Sequence, residues 1–288
     1  MYCFHKFVKH VMNGDTMTEG KVHFTEEQST NLATLYGRAL DARSADPLLG
    51  DPTAVAAVAK IDYDFGKFKM GRDMALSVAT RAKVFDTAVA AYLREHSDAN
   101  VLHLGCGMDS RVFRLDPPPT VHWYDVDYPD VIALRRRVYP NRENYTMIGS
   151  SVTDLGWLAQ VPTDRPTMVV AEGLTMYLDP TEGRAMLSAL VEHLPSGEVL
   201  FDTYSKLGIK LQKTNPVVRR AKATLRWGID DPGEITELGM TLVDRMTGDG
   251  YFTPEVMRRA SRAIRFQLWL LKVLPMFRNM GQVMHFRF

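Results

Sequence analysis

Three short segments carry residue types that bind ligands, and each follows a stretch typical of a β-strand. The first is Gly105-Cys106-Gly107, directly after the apolar run Val101–Leu104. A glycine pair at the carboxyl end of a parallel strand lets the backbone approach a ligand closely, in the crevice where open α/β sheets bind ligands. The dinucleotide-binding pattern would place a third glycine where this chain has Ser110. The loop therefore predicts cofactor binding, and Ser110 favours a smaller cofactor without a pyrophosphate.

The other two segments place acidic residues at the same edge of the predicted sheet. Asp127 follows Gly107 by about 20 residues, the interval at which a carboxylate binds ribose hydroxyls. Asp125 lies on the same side of an extended segment, so either carboxylate can serve. Glu172 ends a fourth strand-like run and faces the same crevice. The alternatives are a helix-capping role for the aspartates and an exposed surface position for Glu172.

Arg81 lies on the apolar stripe of a helix predicted over residues 74–95, between Val78 and Phe85. A guanidinium on a buried face requires an anionic partner, because leaving it unpaired costs several kcal/mol. Two interpretations are open from the residues alone. Arg81 forms a structural salt bridge, or it clamps an anionic group of a ligand.

The cysteines and histidines show no pattern of a nucleophile or a metal centre. Cys106 has no nearby His–Asp pattern, and we interpret it as a small packing residue. His103 falls inside a strand, which predicts a structural role. The histidine spacing matches no metal site, so no metal is expected. Cys3 is the only other cysteine, which excludes a disulfide framework and favours a reducing compartment.

From residue 100 onward the elements that must position these residues alternate between strand and helix. Asp179-Pro180 predicts a helix start, with the aspartate as N-cap and the proline at the first helical position. Strands separated by helices predict an α/β fold with a mostly parallel sheet covered on both faces. The strand-like runs are Val101–Leu104, Val121–Asp125, Tyr145–Ile148, Met168–Ala171 and Val199–Thr203.

Helical signals dominate on both sides of this alternating region. Asp51-Pro52 predicts another capped helix start. Residues 1–24 show little periodicity and are expected to be a loose lead-in to a single domain over 25–288. Within that domain, residues from about 25 to 75 and from 205 to 260 are expected to form a cap. Two apolar stretches, Ile264–Leu274 and Val283–Phe288, are expected to end the domain.

Charge and hydropathy exclude several classes of protein. The chain has 288 residues and a formal net charge of +1, so no overall field attracts it to nucleic acid or anionic lipid. The basic runs Arg135–Arg137 and Arg258-Arg259 are interpreted as solvated helix faces. No apolar run reaches the ~18 residues of a membrane span, and no secretory signal is evident. A cytoplasmic protein without nucleic-acid or membrane partners is expected.

Several blocks of residues, taken together in order, resemble the leucine carboxyl methyltransferase family, in particular its bacterial branch, which includes a polyketide O-methyltransferase. The resemblance extends over roughly residues 30–288. It implies a class I, Rossmann-like methyltransferase with a seven-stranded, mostly parallel sheet and a helical cap. The blocks are Leu104–Arg111 with Phe113–Leu115, Asp125–Pro129, Gly149–Val152, Ala171–Gly173 with Tyr177, Arg226–Pro232 and Gly281–Phe288.

The resemblance implies S-adenosyl-L-methionine as cofactor and S-adenosyl-L-homocysteine as product. By this resemblance Gly105, Cys106 and Gly107 lie at the methionine part of the cofactor. Arg81 matches the family arginine that grips the cofactor carboxylate, which favours the clamp over the structural salt bridge. Asp127 takes the ribose hydroxyls.

The resemblance places further residues around the adenine and the methionine. Ser151 and Val152 flank the adenine, at a place where eukaryotic relatives carry an aspartate, and Asp154 is a substitute candidate. Glu172 lies beside the methionine or the acceptor. The family's upstream lysine has no clear match, and Arg38 is its stand-in.

The implied activity is O-methylation of a carboxylate or hydroxyl of a small molecule, by a monomer or a homodimer. Tyr177, Tyr204 and Glu172 are the candidates for orienting the acceptor, although core packing explains the two tyrosines equally well. Three alternatives stay open. They are methylation of a protein's terminal carboxylate, a nucleotide-dependent oxidoreductase and a cofactor-binding module without turnover.

Overall fold

The structure is a computed structural model and describes residues 26–211, 224–273 and 278–288. The expected lead-in over residues 1–24 lies outside the described residues. The described strands are β1 (Asn100–Leu104), β2 (His122–Asp127), β3 (Tyr145–Gly149), β4 (Thr167–Ala171), β5 (Gly197–Tyr204), β6 (Thr241–Thr247) and β7 (Gly281–Arg287).

The seven strands form one sheet in the order β3-β2-β1-β4-β5-β7-β6. The first five strands pair in parallel, and β7 runs antiparallel between β5 and β6. The chain reverses direction across the sheet between β1 and β4, so the loops after these two strands meet there. The predicted seven-stranded, mostly parallel sheet is confirmed.

The helices begin where the sequence predicts and cover both faces of the sheet. The Asp51 carboxylate accepts a hydrogen bond from the Ala54 N–H (2.9 Å), and Asp179 accepts one from the Thr181 N–H (2.9 Å). Every residue of β1 and β4 is buried, as expected for strands packed on both sides. The described helices are α1 (Glu26–Ala42), α2 (Pro52–Lys60), α3 (Arg72–Glu95), α4 (Arg111–Leu115), α5 (Pro129–Val138), α6 (Pro180–His193), α7 (Lys206–Lys210), α8 (Gly233–Thr236), α9 (Pro254–Arg259) and α10 (Arg262–Val273).

The cap expected from residues 205–260 is wrong at residues 241–247, which form the edge strand β6 of the sheet. The first four side chains of β6 are exposed and the rest are half-buried. A strand exposed on both faces shows no alternation of apolar and polar residues, and this alternation is the signal that identifies a strand in sequence. The β6–β7 pairing also contains an irregularity between Leu242 and Asp244.

α1 and α2 pack over the loop that follows β1. Leu32, Leu35 and Ala39 on α1 share an apolar cluster with Ala54 on α2 and with Met108 of the loop. The N-terminal helices therefore form one wall of the crevice at the carboxyl ends of the strands. Within the described ranges, no helix combines the length and apolar character needed to cross a membrane.

Candidate cofactor and acceptor site

A cavity of about 600 Å³ lies at the carboxyl ends of β1, β4 and β5. This volume is within the range of small-molecule sites, roughly 300–1,000 Å³. Many of the residues predicted for the site line it together. These are Arg81, Gly105, Cys106, Gly107, Glu172, Tyr177 and Tyr204, joined by the stand-in Arg38.

Two positions of the loop after β1 require glycine. Gly105 has φ +59° and Gly107 has φ +48°, conformations that L side chains rarely adopt. A Cβ at Gly105 would lie 2.9 Å from Leu174, and one at Gly107 would lie 2.7 Å from the Asn31 amide oxygen. The loop therefore has neither the backbone conformation nor the space for larger residues.

Buried side chains hold the carbonyl groups of this loop. The Arg135 guanidinium donates hydrogen bonds to the carbonyls of Gly107 (2.7 Å) and Asp109 (2.8 Å). Arg38 (2.9 Å) and the Tyr139 hydroxyl (2.8 Å) both donate to the Met108 carbonyl. The loop is thereby fixed from its protein side before any ligand binds.

The prediction that the basic runs are solvated helix faces is wrong for one arginine in each run. Arg135 is fully buried, whereas Arg136 and Arg137 are exposed. In the second run Arg259 is buried and Arg258 is exposed. The reason is helix geometry, because adjacent residues on a helix point about 100° apart and cannot share one environment.

Asp125 anchors Arg135 and is not a ribose ligand, which corrects one of the two sequence alternatives. Its carboxylate pairs with Arg135 and also accepts from His103 Nδ1 (3.1 Å), Trp123 Nε1 (2.9 Å) and the Tyr145 hydroxyl (2.5 Å). Burial by itself would raise the pKa of Asp125. The Arg135 charge and the hydrogen bond from His103 outweigh burial and hold this pKa at about 2.

His103 has the structural role that the sequence predicts, because both ring nitrogens have protein partners. Its Nε2 lies 3.1 Å from Nη1 of Arg111, which can only donate. Nε2 must therefore accept, and in the neutral ring Nδ1 carries the proton that is donated to Asp125. The histidine links the β2 carboxylate to the arginine at the start of α4.

Asp127 lies immediately behind the glycine loop. Its carboxylate accepts hydrogen bonds from the Gly107 N–H (2.6 Å) and the Tyr128 N–H (2.7 Å). Burial raises the pKa of Asp127, and the two backbone N–H groups oppose this effect. Asp127 is therefore tied to the loop, although it does not line the cavity described above.

Ser151, Val152 and Asp154 follow β3 and also lie off the cavity lining. The Ser151 hydroxyl bonds to that of Thr153 (3.0 Å). Val152 is buried, and Asp154 caps the short helix Leu155–Gln160. These contacts give each residue a local role, and their adenine contacts stay predictions.

Arg81 forms the structural salt bridge considered for it and also lines the cavity, whereas its clamp role stays a prediction. Its Nε donates to Glu172 (2.8 Å), and its Nη1 lies 3.5 Å from the Asp202 carboxylate. Its side chain is nevertheless 29% exposed, whereas those of Glu172 and Asp202 are below 10%. Arg81 is thus held by two buried carboxylates while it presents its guanidinium to the cavity.

Glu172 is poorly suited to take a proton. One carboxylate oxygen accepts from Arg81 and the other from Arg111. Burial alone would raise the pKa of Glu172, but the two guanidiniums together hold it below its usual value. These contacts favour a role in positioning Arg81 over a role as a base.

Asp202, Asn31 and Tyr251 also line the cavity, and the sequence did not predict them. Asp202 lies near the carboxyl end of β5, and a position near a strand end is the same signal that identifies Asp127 and Glu172. Its Oδ1 accepts from the Gly173 N–H (2.6 Å), and burial raises its pKa. Tyr251 comes from a short helical turn over Gly248–Tyr251, in a stretch without periodicity, so no sequence signal identified it.

A sheet of order β3-β2-β1-β4-β5-β7-β6 with β7 antiparallel, a glycine loop after β1 and an acid at the end of β2 are together typical of the class I S-adenosylmethionine-dependent methyltransferases. A crystal structure of a candidate methyltransferase from Thermobifida fusca shares this fold, with a TM-score of 0.54 at 17% identity over 87% of this chain and 93% of that one. Among the described residues, no group of His, Cys, Asp and Glu side chains is arranged to hold a metal ion.

Residues 31–191 match the model of the leucine carboxyl methyltransferase family. The tetracenomycin polyketide synthesis O-methyltransferase TcmP of Streptomyces glaucescens is 48% identical over 73% of this chain and 78% of its own length. The S-adenosyl-L-methionine-dependent methyltransferase dpfgK of Gibberella zeae is 36% identical over 78% of this chain and 82% of its own. The chain belongs to the leucine carboxyl methyltransferase family and is an S-adenosylmethionine-dependent O-methyltransferase.

The Asp125–Arg135 pair makes stability depend on pH in the acid range. Because the folded-state pKa of Asp125 is about 2, below the usual value of 3.8, its contribution is full above about pH 4 and is lost as the pH falls towards 2. We expect the Asp125→Asn variant to lose about 3–5 kcal/mol of unfolding free energy at pH 7, because it leaves Arg135 unpaired. Its remaining stability should fall less steeply with acid than that of the wild type.

Denaturant unfolding between pH 7 and pH 3 measures both effects. Asp164→Asn is the matched control, because the Asp164 side chain is 64% exposed. If Asp125→Asn and the wild type lose stability equally steeply between pH 5 and pH 3, Asp125 is not the group responsible.

Proposed function

We propose that the protein transfers the methyl group of S-adenosylmethionine to a carboxylate or hydroxyl oxygen of a small aromatic acceptor of the polyketide type. The observation that carries this proposal is the composition of the cavity. The glycine loop and Arg81 line this cavity together with three tyrosines, Tyr177, Tyr204 and Tyr251. Tyrosines supply both flat apolar surface and hydroxyl groups, which suits a planar acceptor bearing oxygens. The similarity to a polyketide O-methyltransferase supports the same acceptor class.

The residues present fit the amino-acid part of the cofactor. The side chain of Arg81 is 29% exposed and lines the cavity. It can therefore pair with the cofactor carboxylate while it keeps its ion pair with Glu172. The buried Nε of Arg38 has no hydrogen-bond partner among the described residues, and Arg38 lines the same cavity. Gly105 and Gly107 line the same cavity with backbone atoms alone. Two guanidiniums thus lie next to a surface of bare backbone, with buried carboxylates behind them.

We assign the ribose and adenine to the side of the glycine loop that faces the carboxyl ends of β2 and β3. Asp127 is held there by two backbone N–H groups, with further lone pairs available to ribose hydroxyls. Ser151, Val152 and Asp154 follow the neighbouring strand β3, and we assign them to the adenine. Burial raises the pKa of the Cys106 thiol well above the usual value, which disfavours the nucleophilic thiolate. We therefore assign Cys106 a role in packing and in forming the loop backbone.

When bound, S-adenosylmethionine supplies a methyl group that its sulfonium already activates, so the protein needs no covalent nucleophile. The chain's residues must hold the acceptor oxygen in line with that methyl group, and such positioning accounts for effective molarities of about 10⁵ M or more. Because both line the cavity, we assign Tyr177 and Tyr204 to orienting the acceptor. A carboxylate acceptor is ionised at neutral pH and needs no base.

A hydroxyl acceptor does need a base, and Asp202 is the cavity carboxylate suited to that task. Its Oδ2 has only a 3.5 Å contact with Arg81, whereas both oxygens of Glu172 are engaged. Burial raises the pKa of Asp202, although Arg81 and the Gly173 N–H oppose it. A carboxylate with a raised pKa accepts a proton more readily near neutral pH. Asp202 is therefore our candidate for taking the proton of a phenol.

Two variants separate the carboxylate subsite from the ribose subsite. Arg81→Ala should weaken S-adenosylhomocysteine binding about 10- to 100-fold, because a charge-assisted contact is worth about 1.5–3 kcal/mol. It should leave the binding of 5′-methylthioadenosine unchanged, since that nucleoside has no carboxylate. Asp127→Ala should weaken both ligands by about 1–3 kcal/mol through the loss of hydrogen bonds to the ribose.

Isothermal calorimetry with both ligands tests these assignments. Arg184→Ala, on the distant helix α6, is a control with a partly exposed ion pair. Equal losses for the two ligands in Arg81→Ala would remove Arg81 from the carboxylate subsite, and unchanged binding in Asp127→Ala would remove Asp127 from the ribose.

Transfer of a labelled methyl group tests the acceptor class. We expect transfer to polycyclic aromatic acids or phenols and none to a peptide with a free terminal carboxylate. Tyr177→Phe and Tyr204→Phe should raise the KM for the acceptor several-fold, while S-adenosylhomocysteine affinity stays unchanged. Asp202→Asn should slow transfer to phenols at least 10-fold and leave transfer to acids much less affected.

Other outcomes of this assay favour the alternatives. Transfer to the peptide alone would replace the proposal with a protein carboxyl methyltransferase. Cofactor binding with no transfer to any acceptor would support a binding module without turnover.

A further inference from the structure

The C-terminal part of the chain has an unusual charge distribution. Residues 256–288 contain seven Arg and Lys side chains and no Asp or Glu, although the whole chain has a net charge of only +1. The small net charge of the whole chain therefore coexists with a strongly basic segment. This segment can be attracted to anionic lipid even though the chain as a whole is not. This segment includes helix α10 (Arg262–Val273).

Two arginines on α10 differ from the other described arginines of this segment. Arg262 and Arg265 are exposed, and neither has an acidic partner within the described ranges. Arg265 donates only to backbone carbonyls, those of Ala260 and Arg258. The others are in ion pairs, namely Arg258 and Arg259 with Asp46, Arg278 with Asp249, and Arg287 with Glu198.

Two large aromatic side chains lie on the same helix face as these arginines. Phe266 is 60% exposed and Trp269 is 56% exposed. Their rings stack with centroids 6.0 Å apart and an interplanar angle of 23°. Residues spaced three and four apart share one face of a helix, so Arg262, Arg265, Phe266 and Trp269 form one exposed surface, the basic aromatic face. Adjacent aromatic side chains in water mark a contact surface.

The charge of this face argues against a second copy of the chain as its partner. In a two-fold dimer the same patch meets itself, so Arg262 and Arg265 would approach the same arginines of the other copy. Like charges at an interface are costly. The partner must instead be anionic and able to accept protruding aromatic rings.

An anionic lipid bilayer has both properties. Trp and Phe side chains insert at the boundary between headgroups and acyl chains, and arginines beside them pair with lipid phosphates. A convex helix face needs a deformable surface, which a bilayer provides without a matching groove. We propose that the basic aromatic face of α10 docks the protein onto anionic membrane surfaces, as a helix lying in the interface and not spanning it.

The position of α10 gives this docking a consequence for the cavity. Ile264, on the opposite side of the same helix, lines the cavity. A docked α10 would bring the cavity next to the lipid, so that an aromatic acceptor dissolved in the bilayer can enter from it. The docking itself does not depend on the identity of the acceptor.

Intrinsic fluorescence offers a site-specific measurement of docking. Three of the four tryptophans, Trp123, Trp157 and Trp227, are no more than 3% exposed, so Trp269 dominates any response to the surroundings. With vesicles of equal phosphatidylglycerol and phosphatidylcholine, we expect a blue shift and protection from iodide quenching. Vesicles of phosphatidylcholine alone should give a much smaller effect, and 0.5 M NaCl should weaken binding.

Paired variants test the two components of the face in a vesicle flotation assay. The double variant Arg262→Gln/Arg265→Gln should lower the partition coefficient about 10- to 30-fold, because each cation near an anionic surface contributes a several-fold gain. Phe266→Ser/Trp269→Ser should lower partitioning at least as much and abolish its salt-resistant part. Arg136→Gln/Arg137→Gln is the matched control, since it removes two exposed charges from α5. Unchanged binding of S-adenosylhomocysteine verifies that each variant is folded.

Three results would overturn the proposal. The first is wild-type protein that does not float with phosphatidylglycerol vesicles. The second is an equal loss of flotation in the α5 control, which would mean attraction without a defined face. The third is a concentration-dependent dimer in sedimentation that Phe266→Ser/Trp269→Ser abolishes, because the aromatic face would then be occupied by a second copy.

Discussion

The buried ion pair between Asp125 on β2 and Arg135 on α5 is the interaction on which the site depends. Neither side chain has measurable exposure, so each charge would be costly without the other. The pair directs the guanidinium at two carbonyl groups of the loop after β1, which holds Gly107 in its left-handed conformation. A loop fixed in this way loses little conformational freedom when a cofactor binds.

A second set of buried charges continues from the loop to the far side of the cavity. Arg111 bridges Asp86 and Glu172, and Glu172 in turn holds Arg81. Charges inside such a network neutralise one another, so the group at its solvent-facing end is the one available to a ligand. Arg81 occupies that end, which explains why an arginine on an apolar helix stripe is both a structural partner and a ligand candidate.

The pairing of charges also explains why the pKa values of Glu172 and Asp202, near the ends of β4 and β5, shift in opposite directions. Glu172 is saturated by two guanidiniums and stays ionised, whereas Asp202 has a weaker partner and a raised pKa. Two carboxylates at the carboxyl ends of adjacent parallel strands thus have different chemistry because of their neighbours.

The sequence alone determined the parallel core, the helix starts at Asp51 and Asp179, the glycine loop and the family. The first three features depend on local periodicity, capping and residue spacing, which are properties of short segments, and the family was identified by the resemblance of ordered blocks of residues. Only the tertiary structure decided that Asp125 anchors Arg135 and that residues 241–247 form an edge strand. It also decided that Asp202 and Tyr251 reach the cavity. The physical reason is that burial and the pairing of charges depend on contacts between residues far apart in the chain, and no local pattern records them.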